Sequence, residues 1–188
     1  MFEIDGRIYK KQNFLGGEFS QAVVSDCTFE NCLFENCDFC HSNFNNCFFK
    51  NCNVLIPQLD GCRLQDVSFD TCKISGGDFY KCDKRFFSLN FENCLIQSAN
   101  FSELLLKGAI FRKCNIKECY FNQANLVQAN FSDSNLMGTL FHHSNLSKAD
   151  FRGAYNYSID PQLNTLKKAY FSLPEAISLL ASLDLQIF

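Results

Sequence analysis

Three kinds of residue in this chain could do chemistry: twelve cysteines, three histidines, and carboxylates crowded near the amino terminus. Thiols at this density suggest disulfides, metal binding or redox exchange. Histidine beside an acid or a nucleophile would suggest general base catalysis. Carboxylates in a row would suggest a surface that attracts a basic partner. Which of these applies depends on where the chain sets each group.

Eleven cysteines, Cys27, Cys32, Cys37, Cys47, Cys52, Cys62, Cys72, Cys82, Cys94, Cys114 and Cys119, recur at multiples of five, with one shift of two after Cys82. They alternate at that spacing with Ala, Ser, Gly and Thr, as small buried hydrophobes do. The series therefore reads as reduced core thiols, with no metal, cofactor or disulfide. Cys40 alone falls outside it, at an outward position, and is the thiol expected to react. His41, His142 and His143 also fall outward, without an acid or nucleophile partner at a suitable spacing. No enzymatic site is expected. So many free thiols suit a reducing compartment. With no apolar stretch of about 18 residues and no signal-peptide pattern, a cytoplasmic protein without a membrane partner is expected.

The elements that must position these residues follow from a five-residue period. Residues 89–153 divide into LNFEN CLIQS ANFSE LLLKG AIFRK CNIKE CYFNQ ANLVQ ANFSD SNLMG TLFHH SNLSK ADFRG, with an apolar residue third in every block. The first place is small or thiol-bearing except at Leu89 and Leu104. Five matches neither the period of a helix nor that of a flat strand. It describes a solenoid, in which each unit buries its apolar side only against its neighbours. Phe, with 22 copies, brings bulk to such a tube without a buried polar atom needing a partner.

The same register runs from Phe14 to Phe79, then resumes two residues late at Phe86 and Phe91. KCDKRFF, residues 81–87, is read as a two-residue insertion at a solvated corner. With four blocks per coil, one column of centres is Phe29, Phe49, Phe69, Phe91, Phe111, Phe131 and Phe151. The opposite column is Phe19, Phe39, Leu59, Phe79, Phe101, Phe121 and Phe141. That agreement across the insertion supports four blocks per coil and predicts a solenoid over residues 12–155, of about seven coils. Residues 1–11 show no block register and are expected to lead in to the first coil or cap it. The pattern fails after Phe151, where Asn156 stands at the due centre.

Blocks such as ANFSE, ANLVQ, ANFSD and ADFRG resemble the pentapeptide-repeat family, whose consensus is A(D/N)Lxx. The resemblance implies an all-β fold, a right-handed quadrilateral β-helix. In it the central residue and the residue two before it point inward.

Residues 156–188 are expected to form a cap or dimerisation segment with an α-helix over about 173–183. Ser172 and Glu175 have the spacing of a capping box, with Pro174 in the first turn. Leu173, Ile177, Leu180 and Leu183 form an apolar stripe, and the chain ends in a short apolar run to Phe188. These five residues are the predicted homodimer contacts.

Charge distribution supplies the candidate partner surface. Between residues 12 and 49 there is no Lys or Arg, whereas Glu18, Asp26, Glu30, Glu35 and Asp38 are all present and outward. Asp78 continues a column that reads Glu18, Asp38, Gln58, Asp78. Spaced carboxylates on a rod can imitate the phosphate row of a duplex. The Cys-and-Phe blocks, Asp160–Pro161 and the Leu179–Leu180 tail are similar to the Qnr branch of the family. That resemblance implies a rod-like homodimer that binds DNA gyrase or topoisomerase IV as a DNA mimic, contacting no nucleic acid itself, and protects them from quinolones. Qnr proteins carry two long loops; this chain has only the short insertion. A scaffold for an unrelated protein partner is the alternative.

Overall fold

The computed structural model describes residues 2–85, 87–183 and 185. The chain winds as a right-handed parallel β-solenoid of about eight turns. Each block runs extended, as a strand of about three residues or as a single bridge to the next coil, and then turns a corner. The corner residue, two after the centre, takes the left-handed conformation, with φ near +50° at Asp26, Asn31, Asn36, Asn46 and Asn51. Asn and Asp visit that region most readily among residues with a side chain.

Successive corners divide the coil into four faces. Face 1 is the four-stranded sheet of Glu3–Asp5, Val23–Ser25, Asn43–Asn45 and Arg63–Gln65. Face 2 is six-stranded, from Ile8–Lys10 to Ile110–Arg112, and face 3 is six-stranded, from Asn13–Leu15 to Asn115–Lys117. Face 4 is held by single bridges, among them Asp38 with Gln58 and Asp78 with Asn100.

Burial follows the block. Phe29, Phe34, Phe91, Phe111 and Phe131 are fully buried. Rings one coil apart stack, Phe29 on Phe49 at 4.7 Å and Phe131 on Phe151 at 5.1 Å. Rings on different faces meet edge to face, as Phe111 and Phe121 do at 5.3 Å. Both are favoured arrangements of aromatic quadrupoles. Phe49 pairs with Phe69, but Phe69 pairs with Phe91, a step two residues longer. Phe86 falls outside the described residues, and Phe87 is buried.

The ends differ from the sequence expectation. Residues 1–11 are not outside the register: Ile4 pairs with Val24, and Tyr9 with Phe29. The pattern is veiled because Arg7 and Gln12 hold the small position, which at the tube mouth is open to solvent. Nor does the ladder stop at Phe151, which pairs with Phe171 and stacks on it at 5.1 Å. At the failed centre, Asn156 turns outward and donates to Asn135 Oδ1 (2.9 Å), while Tyr157 enters the core.

The terminal helix, Glu175–Leu183, is wound as a 3₁₀ helix rather than an α-helix. Ile177, Leu180 and Leu183 are spaced by three, which aligns them along one edge of a three-residue turn. The expected capping box does not form in this winding. Ser172 instead accepts the Gly153 N–H on its hydroxyl (3.1 Å), and its carbonyl accepts the Ala176 N–H (3.0 Å). Pro174 therefore precedes the helix.

Candidate interaction surfaces

Eleven of the twelve thiols are interior groups, and their chemistry is hydrogen bonding. Along the column Cys32, Cys52, Cys72, Cys94 and Cys114, each sulfur donates to a carbonyl of the preceding coil. Cys52 reaches Phe29 O at 3.3 Å and Cys72 reaches Phe49 O at 3.3 Å. The same sulfurs accept backbone N–H groups, with Cys32 N–H on Cys52 Sγ at 3.4 Å and Cys52 N–H on Cys72 Sγ at 3.3 Å. Ser134 takes over the role one coil later, accepting Cys114 N–H and donating to Phe111 O. Cys, Ser and Thr are thus interchangeable here as donors, which the reading as small hydrophobes missed.

Burial pushes Cys47 and Cys119 up to about 12 and Cys37 up to about 11. Within the column, the neighbouring sulfur and then burial push Cys72 and Cys114 up. A thiolate at Cys52 or Cys94 would gain donors from those neighbours. It would also strip Phe29 O and Phe69 O of their donors and place a charge in the tube. The column is held neutral.

One motif escapes the block reading. Residues Cys37-Asp38-Phe39-Cys40-His41 have the CxxCH spacing of a c-type haem attachment. The geometry does not fit such a group. Cys37 points into the tube and donates to Phe14 O (3.1 Å), whereas Cys40 lies outward, two residues from Asp38. Burial, then the Asp38 carboxylate, raises the half-buried Cys40 thiol. Among the described residues no group of three His, Cys, Asp or Glu could hold a metal. Among them, too, no helix is long and apolar enough to cross a membrane.

The six predicted carboxylates divide among several surfaces. Glu18, Asp38 and Asp78 share face 4, where the rings of Phe19 and Phe39 lie 5.7 Å apart beneath the first two. Glu18 accepts the Leu15 N–H at 3.3 Å, and Asp38 accepts the Cys40 N–H at 2.8 Å. The Cys40 thiol and N–H together lower the Asp38 carboxyl. Asp26 lies at the corner between faces 1 and 2, bound by the Asn46 amide. Glu35 stands on face 3 in register with Leu15 and Leu55, without an ion pair among the described residues.

Counter-ions that are distant in sequence become neighbours one coil away. Glu30 on face 2 is bound by Lys10 at 2.9 Å and is flanked on its other side by Lys50. Asp78 shares Lys81 with Asp60, at 3.3 and 3.8 Å. Asp60, absent from the sequence reading, thus joins the face 4 cluster. In the insertion, Asp83 is clamped by Arg85 (2.8 Å) and Arg63 (2.9 Å). Those bonds hold its carboxyl well below the usual range.

At the other end, Leu179 packs against the core while Leu173, Ile177, Leu180 and Leu183 remain exposed, Leu173 by 78%. The apolar stripe therefore faces away from the tube. Phe188, the fifth predicted contact, lies outside the described residues.

Comparison with known proteins bears directly on this geometry. The pentapeptide repeat region model matches residues 22–101, and the pentapeptide repeats (8 copies) model matches residues 114–153. The chain belongs to the pentapeptide-repeat family. Comparison with curated protein sequences gives no match. Among solved structures it is similar to trypsin-treated QnrB1, a plasmid-mediated fluoroquinolone resistance protein. That likeness has a TM-score of 0.66 at 15% identity and covers 99% of this chain and 100% of the other. It is also similar to full-length QnrB1 (TM-score 0.44, 17% identity, 97% and 100% covered). HetL of the cyanobacterium Nostoc sp. strain PCC 7120, involved in heterocyst differentiation regulation, follows at 0.35 and 17% identity, with 90% and 86% covered. At 15% identity, the likeness to trypsin-treated QnrB1 speaks for the fold alone.

Proposed function

We propose that this chain is a non-enzymatic, cytoplasmic, protein-binding rod, and that its partner is a bacterial type II topoisomerase, DNA gyrase or topoisomerase IV. The observation that carries the reading is the carboxylate column of face 4, Glu18, Asp38 and Asp78 with Asp60 beside them, and Glu35, without an ion pair among the described residues, on the Asp38 coil. A rod with negative charge repeated at coil spacing meets a basic DNA-binding groove as a duplex does. The likeness to QnrB1, a fluoroquinolone resistance protein, and the Qnr-like tail point the same way. Modulation of the enzyme, or its protection from quinolones, is the activity that reading entails. Homodimerisation through Leu173, Ile177, Leu180, Leu183 and Phe188 completes it, since the first four are exposed apolar side chains in a row, which favour a covering partner.

Charge reversal tests the surface. Glu18→Lys, Glu35→Lys and Asp38→Lys together should weaken gyrase binding while the chain still unfolds cooperatively, at a Tm lowered only by the loss of the Asp38 bond to the Cys40 N–H. Unchanged affinity would remove these coils from the interaction. A second reading, a scaffold for an unrelated protein, draws on the pairing of Glu30 with Lys10 and of Asp78 with Lys81, which makes the acidic field patchier than that of DNA. Failure of purified gyrase to bind would favour it.

A further inference from the structure

We infer that Ile56 is the apolar anchor of a docking surface at the corner between faces 3 and 4, with Glu35, Asp38 and Asp78 around it. The occupant it fits is a protein surface with an apolar socket rimmed by lysine or arginine. The inference rests on the proposed reading that the outer faces bind protein, and it names the point of engagement.

The backbone carries the argument. Ile56 sits in the left-handed region, at φ +50°. That region is disfavoured for a β-branched residue, and again for a residue preceding proline, as Ile56 precedes Pro57. Its corner neighbours one coil away are Asn36 and Gly76, residue types that accept this conformation. The only other β-branched residue with positive φ among the described residues is Thr71, whose hydroxyl bonds the Asp70 carboxylate at 3.2 Å. Ile56 has no polar group to offset its strain, and at 65% exposure little burial rewards the side chain. A strained residue that the fold does not reward points to a role outside the fold.

The surroundings specify the partner. Pro57 is buried, and the Ile56 N–H is tied to Ser75 O at 2.8 Å, so the corner is fixed. Gly76 has no side chain to cover Ile56; a Cβ there would lie 3.7 Å from the Ile56 Cα. Leu55, half-buried, adjoins it in sequence. Glu35 pairs in register with Leu55, and Asp38 with Gln58, so carboxylates lie one coil below on both sides of the corner. Asp78 follows Gly76–Gly77 one coil above, sharing Lys81 with Asp60. Lys73 lies further along face 3, in register with Asn53. A rigid apolar point within a carboxylate rim is complementary to an apolar pocket with basic edges.

Ile56→Asn tests this, because Asn36 already occupies the equivalent corner. Thermal unfolding should show a rise in Tm of about 2–4 °C as the strain is relieved. Affinity for purified gyrase holoenzyme should fall about thirtyfold, as for a central anchor. A lower Tm, or gyrase binding that survives the substitution, overturns the inference and leaves the topoisomerase reading intact. Loss of self-association with gyrase binding unchanged overturns it in favour of a second copy as occupant. If the unaltered chain does not bind gyrase, the reading fails and this inference fails with it.

Discussion

Raising the pH above the ordinary thiol range should unfold this protein, because it must keep its buried thiols protonated to stay folded. Cys47 and Cys119 are pushed to about 12 and Cys37 to about 11, from an ordinary value of 9.0. A folded-state value raised above the unfolded one gives stability that is complete below pH 9. That stability is lost progressively as pH climbs toward the folded values. At about pH 10, each thiol that ionises only in the unfolded chain removes about 1.4 kcal/mol. These three thiols together remove about 4 kcal/mol, a large share of a typical stability of about 5–15 kcal/mol. The Tm should therefore drop by about 8–16 °C between about pH 8 and pH 10. Circular dichroism melts in the presence of a reductant measure this. Replacing Cys37, Cys47 and Cys119 with Ser, whose hydroxyl does not ionise there, should flatten the decline. A Tm that holds steady to pH 10, or an equal decline in the triple variant, would refute the reasoning.

Three further outcomes are expected. Cys72→Ser should cost less than Cys72→Ala by about 1 kcal/mol in urea unfolding, since Ser keeps a donor for Phe49 O and an acceptor for Cys52 N–H; equal costs would make the thiol a mere space-filler. Leu180→Asp, on the exposed stripe, should convert a dimer into monomers by light scattering and lower the Tm only by the lost association; a persistent dimer would exclude tail pairing. On the acid side, Asp38 is lowered by the Cys40 thiol and N–H, and Asp150 by Arg152. The stability they contribute is present above the ordinary carboxylate value and should be lost as pH falls through the lowered ones. Asp150→Asn should reduce that acid sensitivity in melts below about pH 4.

The sequence discloses the coil because the five-residue block is itself the structural unit. Centre, small position and corner repeat so strictly that the two-residue step after Cys82 is visible without coordinates. What stays hidden is whatever depends on a neighbour some twenty positions away. Lys10 and Lys50 flank Glu30 only once coils stack, so a gap in basic residues along the chain did not mean a gap on the surface. The thiol bonds are hidden for the same reason, since Cys72 and Phe49 O meet across a coil boundary. At both ends the pattern weakens because solvent replaces one neighbour. Arg7 and Gln12 occur where a closed coil would need small residues, and Asn156 cedes the interior to Tyr157. Helix type was misjudged because the spacing of Leu173 and Ile177 fits an α-helix, while Ile177, Leu180 and Leu183 fit the tighter winding. The CxxCH run was obscured by the block pattern, which assigns its two thiols to opposite sides of the chain.

The central claim is that the rod engages a type II topoisomerase through its outer faces. It is tested most directly by a supercoiling assay with purified DNA gyrase, titrating the protein with and without ciprofloxacin. The account predicts a change at micromolar protein, either rescue of supercoiling from the drug or inhibition of the enzyme, that is lost when Glu18, Glu35 and Asp38 are reversed to Lys. Supercoiling unaltered at saturating protein, in both conditions, would contradict it.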